Sequence, residues 1–281
     1  MAPTVSNEGG NMTTPRGDCV SYGGGVQSTA LLVMAARKMI DYPLFIFANT
    51  GDDSEHPDSL DYVRNIATPY AKQHGIEVVE VARKGPTLMQ AAMGEGEATS
   101  SNFPLPFYGS GGPLNRTCTA KWKIHTVGQE LRARGHSAKN PAHVALGISV
   151  DEFQRAKGEG YQDPKFKIQI LHYPLLQHNL TRHDCHELIA DEGLPQPGKS
   201  SCFFCPYHSK LKWQHLRVTR PDLFEKSVQL ERRYQQRLEE KGAPKQWISA
   251  AGPRSGMTLD VAINDQPELF GDEDCGGYCH T

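Results

Sequence analysis

Apolar residues in the first third of the chain form short runs of strand length, separated by stretches with helical periodicity. The runs are Val20–Tyr22, Leu44–Ala48 and Ile76–Val81, and apolar residues recur at helical spacing within 26–40 and 60–70. Continuous apolar strands are typical of parallel sheets that are buried on both faces. This alternation predicts a doubly wound α/β domain with a mainly parallel sheet.

The rest of the chain continues this pattern and then becomes helical. The remaining predicted elements are a helix at 119–135, strands at 144–148 and 167–171, and helices at 181–192, 208–219 and 222–241. Residues 94–117 interrupt the pattern because they are rich in Gly, Pro, Ser and Asn. They indicate either a mobile lid over a site or disorder.

These patterns divide the chain into four parts. They are a flexible leader (1–16), an α/β domain (17–178), a helical region that contains cysteines (179–241), and an irregular acidic tail (242–281). The fold class is therefore α/β with a helical, cysteine-bearing C-terminal extension.

Charge and hydropathy exclude several classes of protein. The chain has 281 residues, with 30 basic and 32 acidic side chains and a formal net charge of −2. This balance argues against a protein that coats nucleic acid, although it leaves room for a local basic channel. No run of about 18 apolar residues predicts a membrane helix, and the polar N-terminus lacks the apolar segment of a secretory signal. We expect a cytoplasmic protein with no membrane partner.

The chain has seven cysteines, which is an odd number, and two of them form the pair Cys202-Phe-Phe-Cys205. Without an export signal, this usage favours metal, cluster or redox chemistry over a disulfide framework.

A glycine-rich loop joins the first strand to the first helix. It reads Ser-Tyr-Gly-Gly-Gly-Val-Gln-Ser-Thr over 21–29, and its candidate ligand-binding residues are Gly23, Gly24, Gly25, Gln27 and Ser28. Glycines let backbone amides approach an anion closely, and the helix N-terminus adds a positive dipole end. A tight turn without a ligand is the alternative. The loop has neither the Gly-Lys-Ser/Thr of a Walker motif nor the spacing of a dinucleotide fingerprint.

Three motifs in order carry a family resemblance. Gly24, Gly25 and Ser28 match the Ser-Gly-Gly-x-Asp-Ser pyrophosphate loop of the adenine nucleotide alpha-hydrolase superfamily, whose first Ser and Asp are replaced here by Gly23 and Gln27. The stretch from Thr50 to Pro57 resembles the Thr-Gly-x-x-x-Pro motif of the PAPS reductase family. Residues 147–155 resemble its later Gly-x-x-x-x-Glu/Gln-x-x-Arg motif. The resemblance covers about residues 18–160.

The resemblance implies binding of ATP, or of a sulfated adenine nucleotide, with chemistry at the α-phosphate. In the ATP users a substrate oxygen attacks the α-phosphorus, and pyrophosphate leaves on the loop. Arg155 and Mg²⁺ would neutralise that charge, and Thr50, Asp52 and Glu152 would belong to the same nucleotide site.

The cysteine spacing carries a second resemblance. Assimilatory APS reductases, which hold a [4Fe–4S] cluster, have a Cys-Cys pair followed at a similar distance by Cys-x-x-Cys. Here Cys118 matches the first of the pair and Thr119 stands in the second position. The resemblance implies a cluster on Cys118, Cys202 and Cys205, with Cys185 as the fourth ligand or with one iron left open. Structural Zn²⁺ on the same cysteines, with His208, is the alternative.

The chain ends in Asp-Cys-Gly-Gly-Tyr-Cys-His-Thr, which loosely resembles the Glu-Cys-Gly-x-His tail of PAPS reductases. Cys275 and Cys279 are therefore candidate catalytic thiols that attack sulfur, carry a persulfide or resolve a disulfide. A fourth metal ligand or a frayed end are the other interpretations of this tail.

The resemblance is strongest to phage-type and DNA-phosphorothioation members, and it implies an ATP-dependent iron–sulfur sulfurtransferase that acts on DNA or tRNA. Its sulfur donor would be a cysteine desulfurase. One alternative is an APS or PAPS reductase that uses thioredoxin, and another is a zinc-stabilised nucleotide-binding module without turnover. The sequence leaves the acceptor open, and also whether the chain forms a homodimer.

Overall fold

A parallel sheet forms the centre of the molecule. The structure is a computed structural model that describes residues 17–95, 103–114, 116–250 and 252–263. Within these residues the strands are β1 (Cys19–Tyr22), β2 (Leu44–Asn49), β3 (Glu77–Ala82), β4 (Tyr108–Gly109), β5 (Gly112–Pro113), β6 (Ala142–Ala145) and β7 (Gln169–His172). Five of them pair in parallel in the order β3-β2-β1-β6-β7, and β4 and β5 form a separate hairpin.

Helices flank the sheet on both faces and continue beyond it. The described α-helices are α1 (Val26–Ala36), α2 (Pro57–Asp61), α3 (Thr68–Gln73), α4 (Leu88–Met93), α5 (His125–Ala133), α6 (Pro174–Gln177), α7 (Arg182–Asp191), α8 (Lys210–Thr219), α9 (Pro221–Glu240), α10 (Gly252–Ser255) and α11 (Leu259–Ala262). Segments Tyr62–Ala67 and Thr119–Ile124 are π-helical, and Val150–Arg155 is a 3₁₀ helix. In the described part of the chain no helix is long and apolar enough to span a membrane.

The predicted doubly wound α/β fold is confirmed. The chain builds β1, β2 and β3 outward in one direction and then crosses to β6 and β7 on the other side of β1. The strand order therefore reverses between β1 and β6. In open parallel sheets this reversal leaves a crevice at the carboxyl ends of the strands, where ligands bind.

Burial on both faces of β2 explains its uninterrupted apolar sequence. Phe45 and Phe47 lie in a core cluster with α1, whereas Leu44 and Ile46 lie in the cluster that includes α5 residues. On the first face, α1 packs in turn against α7. A third cluster combines α8, α9 and α4 with the aromatic residues Phe107, Trp122, Phe203 and Trp213.

Three predicted boundaries shift for identifiable physical reasons. The first helix ends at Ala36 rather than near residue 40, because Lys38 takes a left-handed φ of 59° that ends the helix. The strand predicted at 144–148 lies instead at Ala142–Ala145. Much of the predicted lid is packed, since Leu105 and Phe107 are buried and Phe103 stacks on Tyr234. Residues 96–102 and 115 of that segment lie outside the described residues.

A buried carboxylate fixes the end of the helical region. Glu231 on α9 is fully buried, and its carboxylate accepts hydrogen bonds from the backbone amides of Ile248 at 2.8 Å and Leu259 at 2.6 Å. Burial raises the pKa of Glu231 to about 7, even though the two amides favour its charged form. The helix therefore holds the following segment through a group that titrates near neutral pH.

This raised pKa predicts a specific pH dependence of stability. Because the folded state holds the Glu231 proton more tightly than the unfolded state, the contribution of this group is fully present below about pH 4.5 and is lost as the pH rises through 7. The free energy of unfolding of the wild type, relative to Glu231→Gln, should fall by roughly 2–3 kcal/mol over that range. Urea denaturation at several pH values measures it. Glu225→Gln, at an exposed position of the same helix, is the control and should show no such trend.

Candidate functional site

A cavity lies in the crevice that the strand order predicts. It has a volume of about 210 Å³ and is lined by residues that follow β1, by Phe47 and Ala48 of β2, and by Leu146 and Gly147 after β6. Four of the five predicted loop residues line it, namely Gly23, Gly25, Gln27 and Ser28. The fifth, Gly24, is at a position that favours glycine, because its φ is +72° and a Cβ there would lie 2.8 Å from Val63.

The loop directs backbone amides toward one point at the start of α1. Ser28, in the first turn, accepts hydrogen bonds through Oγ from the amides of Gly23 (3.3 Å) and Gly25 (3.2 Å) and donates to the carbonyl of Gly25 (3.0 Å). The first amides of a helix have no acceptor within the helix, and the helix dipole adds positive potential there. This geometry suits an anion.

Gly147 sets the width of the crevice. A Cβ at this position would lie 2.9 Å from the amide nitrogen of Ser28 and 3.0 Å from the carbonyl carbon of Gln27. Both neighbours are backbone atoms of the first helical turn, so they cannot rotate away as a side chain would. Only glycine therefore lets the loop after β6 lie against the anion-binding end of α1.

Arg155 supplies unused donors to the same cavity. Its Nη1 pairs with Glu152 three residues earlier, and its side chain is only 9% exposed. Its Nε and Nη2 atoms are buried and have no hydrogen-bond partner among the described residues. A buried guanidinium with two unsatisfied donors normally has a partner, so this arrangement indicates an oxyanion ligand.

The cavity wall carries more positive than negative charge. The cationic residues that line it are Lys123, Arg155, Lys157, Arg182 and Lys199, and the acidic ones are Glu152 and Asp163. Apolar side chains, including Val127, Ile148 and Phe166, line another part of the wall. A wall that combines cations, loop amides and apolar surface suits a ligand with phosphates and a ring.

A second, smaller cavity adjoins the first and contains the cysteines. Its volume is about 40 Å³, and three of its lining residues are Cys118, Cys202 and Cys205. Thr119, Lys123 and Ser200 line both cavities, so the two spaces share a wall. Thr119 and Lys123 lie on the π-helical segment, a local geometry that is frequent at functional sites.

The loop after β2 holds the cysteine pair in place. The backbones of Glu55 and Cys202 form an isolated β-bridge, and the amide of Phe203 donates to the carbonyl of Ser54 at 3.3 Å. Glu55 is buried and accepts a hydrogen bond from Thr50 Oγ1 at 2.8 Å, and that hydroxyl lies 3.5 Å from Cys202 Sγ. Thr50, predicted to contact the nucleotide, thus lines the cysteine cavity instead.

The thiols occupy an environment that favours their neutral form. Burial raises the pKa of Cys202 well above the ordinary range of a thiol, and burial also raises the pKa of Cys118. The ammonium of Lys123 opposes this shift at both cysteines, because its positive charge favours the thiolate. Lys123 is therefore the cation that adjoins both the thiols and the anion cavity.

The donor set suits a soft metal in kind but is not preassembled. Three thiols are appropriate ligands for an iron–sulfur cluster or for Zn²⁺. Within the described residues, however, no three His, Cys, Asp or Glu side chains are close enough together to hold a metal ion. His208 faces Ser201 instead, with 3.1 Å between Nε2 and Oγ. Binding would require the thiols to move together and a further ligand from elsewhere.

Two predicted site residues lie apart from both cavities. Cys185 is fully buried on α7, in the core cluster that contains α1, so the structure does not bring it together with the other cysteines. Asp52 forms an ion pair with Arg64 at 2.7 Å and accepts a hydrogen bond from Asn49, so it completes a surface network. Cys275 and Cys279 lie outside the described residues.

Sequence reasoning missed the residues that join the two cavities. Ser200 was not predicted, yet a Cβ on Gly25 would lie 2.8 Å from its Oγ, which places it beside the glycine loop. Its position two residues before Cys202 of the Cys-x-x-Cys pair was the available signal. Nothing local in sequence indicates that Lys123 and Lys199, rather than other lysines of the chain, face a cavity.

No protein-family model matches the chain, and the search of curated proteins finds no match. The site must therefore be interpreted from its own geometry and chemistry.

The contact at Gly147 predicts a sharp difference between two glycine substitutions. Gly147→Ala should destabilise the protein by about 1–3 kcal/mol and weaken anion binding, because the methyl group meets helix backbone. Gly198→Ala is the matched control, since no atom lies within 4 Å of its added Cβ. Urea denaturation and pyrophosphate titration measure the two effects. Equal behaviour of the two variants would contradict the steric role of Gly147.

Proposed function

We propose that this chain is an ATP-dependent sulfurtransferase that adenylylates an oxygen of a nucleic acid and replaces that oxygen with sulfur. The observation that carries the proposal is the shared wall between the glycine-loop cavity and the three-cysteine cavity. Phosphate chemistry and sulfur chemistry would then take place next to each other. The motifs that resemble the PAPS reductase family support the same assignment.

The first half-reaction uses the loop and Arg155. An acceptor oxygen attacks the α-phosphorus of ATP, and the bond to the β-phosphate oxygen breaks, so that pyrophosphate leaves. The unsatisfied donors of Arg155, together with the first-turn amides of α1 that have no acceptor within the helix, stabilise the negative charge that develops on the leaving group. Mg²⁺, as in other phosphoryl-transfer enzymes, would neutralise part of this charge.

The second half-reaction uses the cysteine cavity. A sulfur nucleophile attacks the activated atom of the acceptor, and the adenylylated oxygen leaves with AMP. The charge of Lys123 favours the thiolate of Cys118 and of Cys202, although burial outweighs it and the pKa of each thiol stays raised. If the sulfur comes as a persulfide from a cysteine desulfurase, a second thiol releases the product by forming a disulfide, and an external dithiol reduces it.

A soft metal would be held by Cys118, Cys202 and Cys205. A [4Fe–4S] cluster at this position would supply iron that carries sulfide, whereas Zn²⁺ would only fix the cysteines in place. Among the described residues, these three thiols are the ones that would bind either group.

Pyrophosphate release from ATP tests the nucleotide half of the proposal. Arg155→Met should lower the rate about 10²-fold or more, because it removes buried donors from the phosphate site. Arg233→Met, at an exposed position of α9, is the matched control and should leave the rate unchanged. Sulfite release from APS or PAPS, without pyrophosphate release from ATP, would replace the proposal with a sulfonucleotide reductase.

The metal content of the purified protein tests the part of the proposal that concerns the three cysteines. Protein purified without oxygen should contain iron and acid-labile sulfide, and serine variants of Cys118, Cys202 or Cys205 should lose both. Cys185→Ala is the control and should keep its metal, since that thiol lies in a separate core cluster. Colourless protein with one equivalent of zinc would reject the cluster, and loss of metal in Cys185→Ala would reject the three-cysteine site.

A further inference from the structure

An exposed aromatic ring lies beside the larger cavity. Phe153 is 67% exposed, and it is the one aromatic residue among the exposed large hydrophobic side chains of the described chain. The other tyrosine, tryptophan and phenylalanine residues in the described ranges are buried or half-buried. Neither the nucleotide site nor the hydrophobic core uses this ring.

The turn that carries Phe153 is held on both sides. The amide of Val150 donates to the carbonyl of Leu180 at 2.9 Å, and Asp151 Oδ2 accepts from the amide of Arg182 at 2.5 Å. After the ring, the amide of Ala156 donates to the carbonyl of Phe153 at 3.0 Å. The ring is therefore displayed from a fixed segment, which reduces the conformational entropy that a partner must overcome on binding.

The residues around the ring belong to the cavity wall. Glu152 and Arg155 flank Phe153 in sequence and line the cavity, as do Lys157 and Arg182. The nearby carboxylates are engaged, since Glu152 pairs with Arg155 and Asp151 accepts the amide of Arg182. The exposed ring thus precedes two cavity-lining cations, Arg155 and Lys157, in one short segment. Aromatic rings and cations together bind single-stranded nucleic acid, in which bases stack on rings and phosphates contact cations.

Resting on the proposed function, we propose that Phe153 is the stacking platform for an unpaired base of the acceptor strand. Inside a duplex both faces of a base are covered by its neighbours, so a ring can stack only on a base that is unpaired or extruded. The acceptor is therefore a single strand, a loop or a flipped nucleotide. Its phosphates contact Lys157 and Arg182 on the way into the cavity.

Fluorescence anisotropy tests this assignment. The probes are a labelled single-stranded oligonucleotide, made as DNA and as RNA, and the corresponding duplex. Phe153→Ala should weaken single-strand binding by roughly 5- to 100-fold, and Phe153→Trp should retain it. Val218→Ala is the matched control, because Val218 is also 67% exposed but lies on α8. Duplex binding should be weaker than single-strand binding and should not depend on Phe153.

Three results would overturn the proposal. They are an unchanged single-strand affinity in Phe153→Ala, an equal loss in Val218→Ala, and no single-strand binding by the wild type. Sedimentation of each variant shows whether the ring instead mediates pairing of two copies of the chain, which would also overturn it.

The stacking role of Phe153 and the proposed function can be tested, and can fail, independently of each other. ATP binding and pyrophosphate release are measured on the same variants, and Phe153→Ala should retain ATP binding because its side chain does not line the cavity. A wild type that binds the single strand through Phe153 but does not bind ATP would reject the sulfurtransferase and keep the stacking platform.

Discussion

The close approach of Gly147 to the first turn of α1 is the constraint on which the site depends. It occurs where the strand order reverses, so two loops that diverge elsewhere lie in contact through backbone atoms. The contact fixes the position of the glycine loop relative to the segment that carries Glu152 and Arg155. A phosphate-binding loop and a buried guanidinium thus face one cavity, although more than a hundred residues separate them in sequence.

The cysteine cavity depends on a second set of contacts. The loop after β2 pairs with the segment around Cys202, and Cys118 is held by a hydrogen bond from its amide to the carbonyl of Pro104 at 3.0 Å. These contacts connect the parallel sheet to the aromatic core of the helical region. Cys202 lies in the aromatic core cluster and Cys118 packs against it, so burial raises the pKa of both thiols while the charge of Lys123 opposes the shift.

Local pattern was enough to predict the sheet, since β1, β2 and β3 are short apolar runs with helices between them. The family resemblance likewise implied one shared site for Ser28, Glu152 and Arg155, and all three line the same cavity. The places of Cys185 and Asp52 could not be predicted in this way. Residue type identifies a possible ligand, but long-range packing of α7 on α1, and an ion pair with Arg64, decide where each side chain lies.

The π-helical turn at Thr119–Ile124 separates two tasks within one continuous helix. Because a π-helical turn is wider than an α-helical turn, Thr119 and Lys123 lie on a different side of the helix axis from the one that the periodicity of α5 would give them. Val127 and Leu131 of α5 remain in the core against the sheet. Thr119 and Lys123 therefore do not follow the periodicity with which the rest of the helix packs against the core. Substitutions in the wide turn can retune the charge next to the thiols while the buried face of α5 keeps its register.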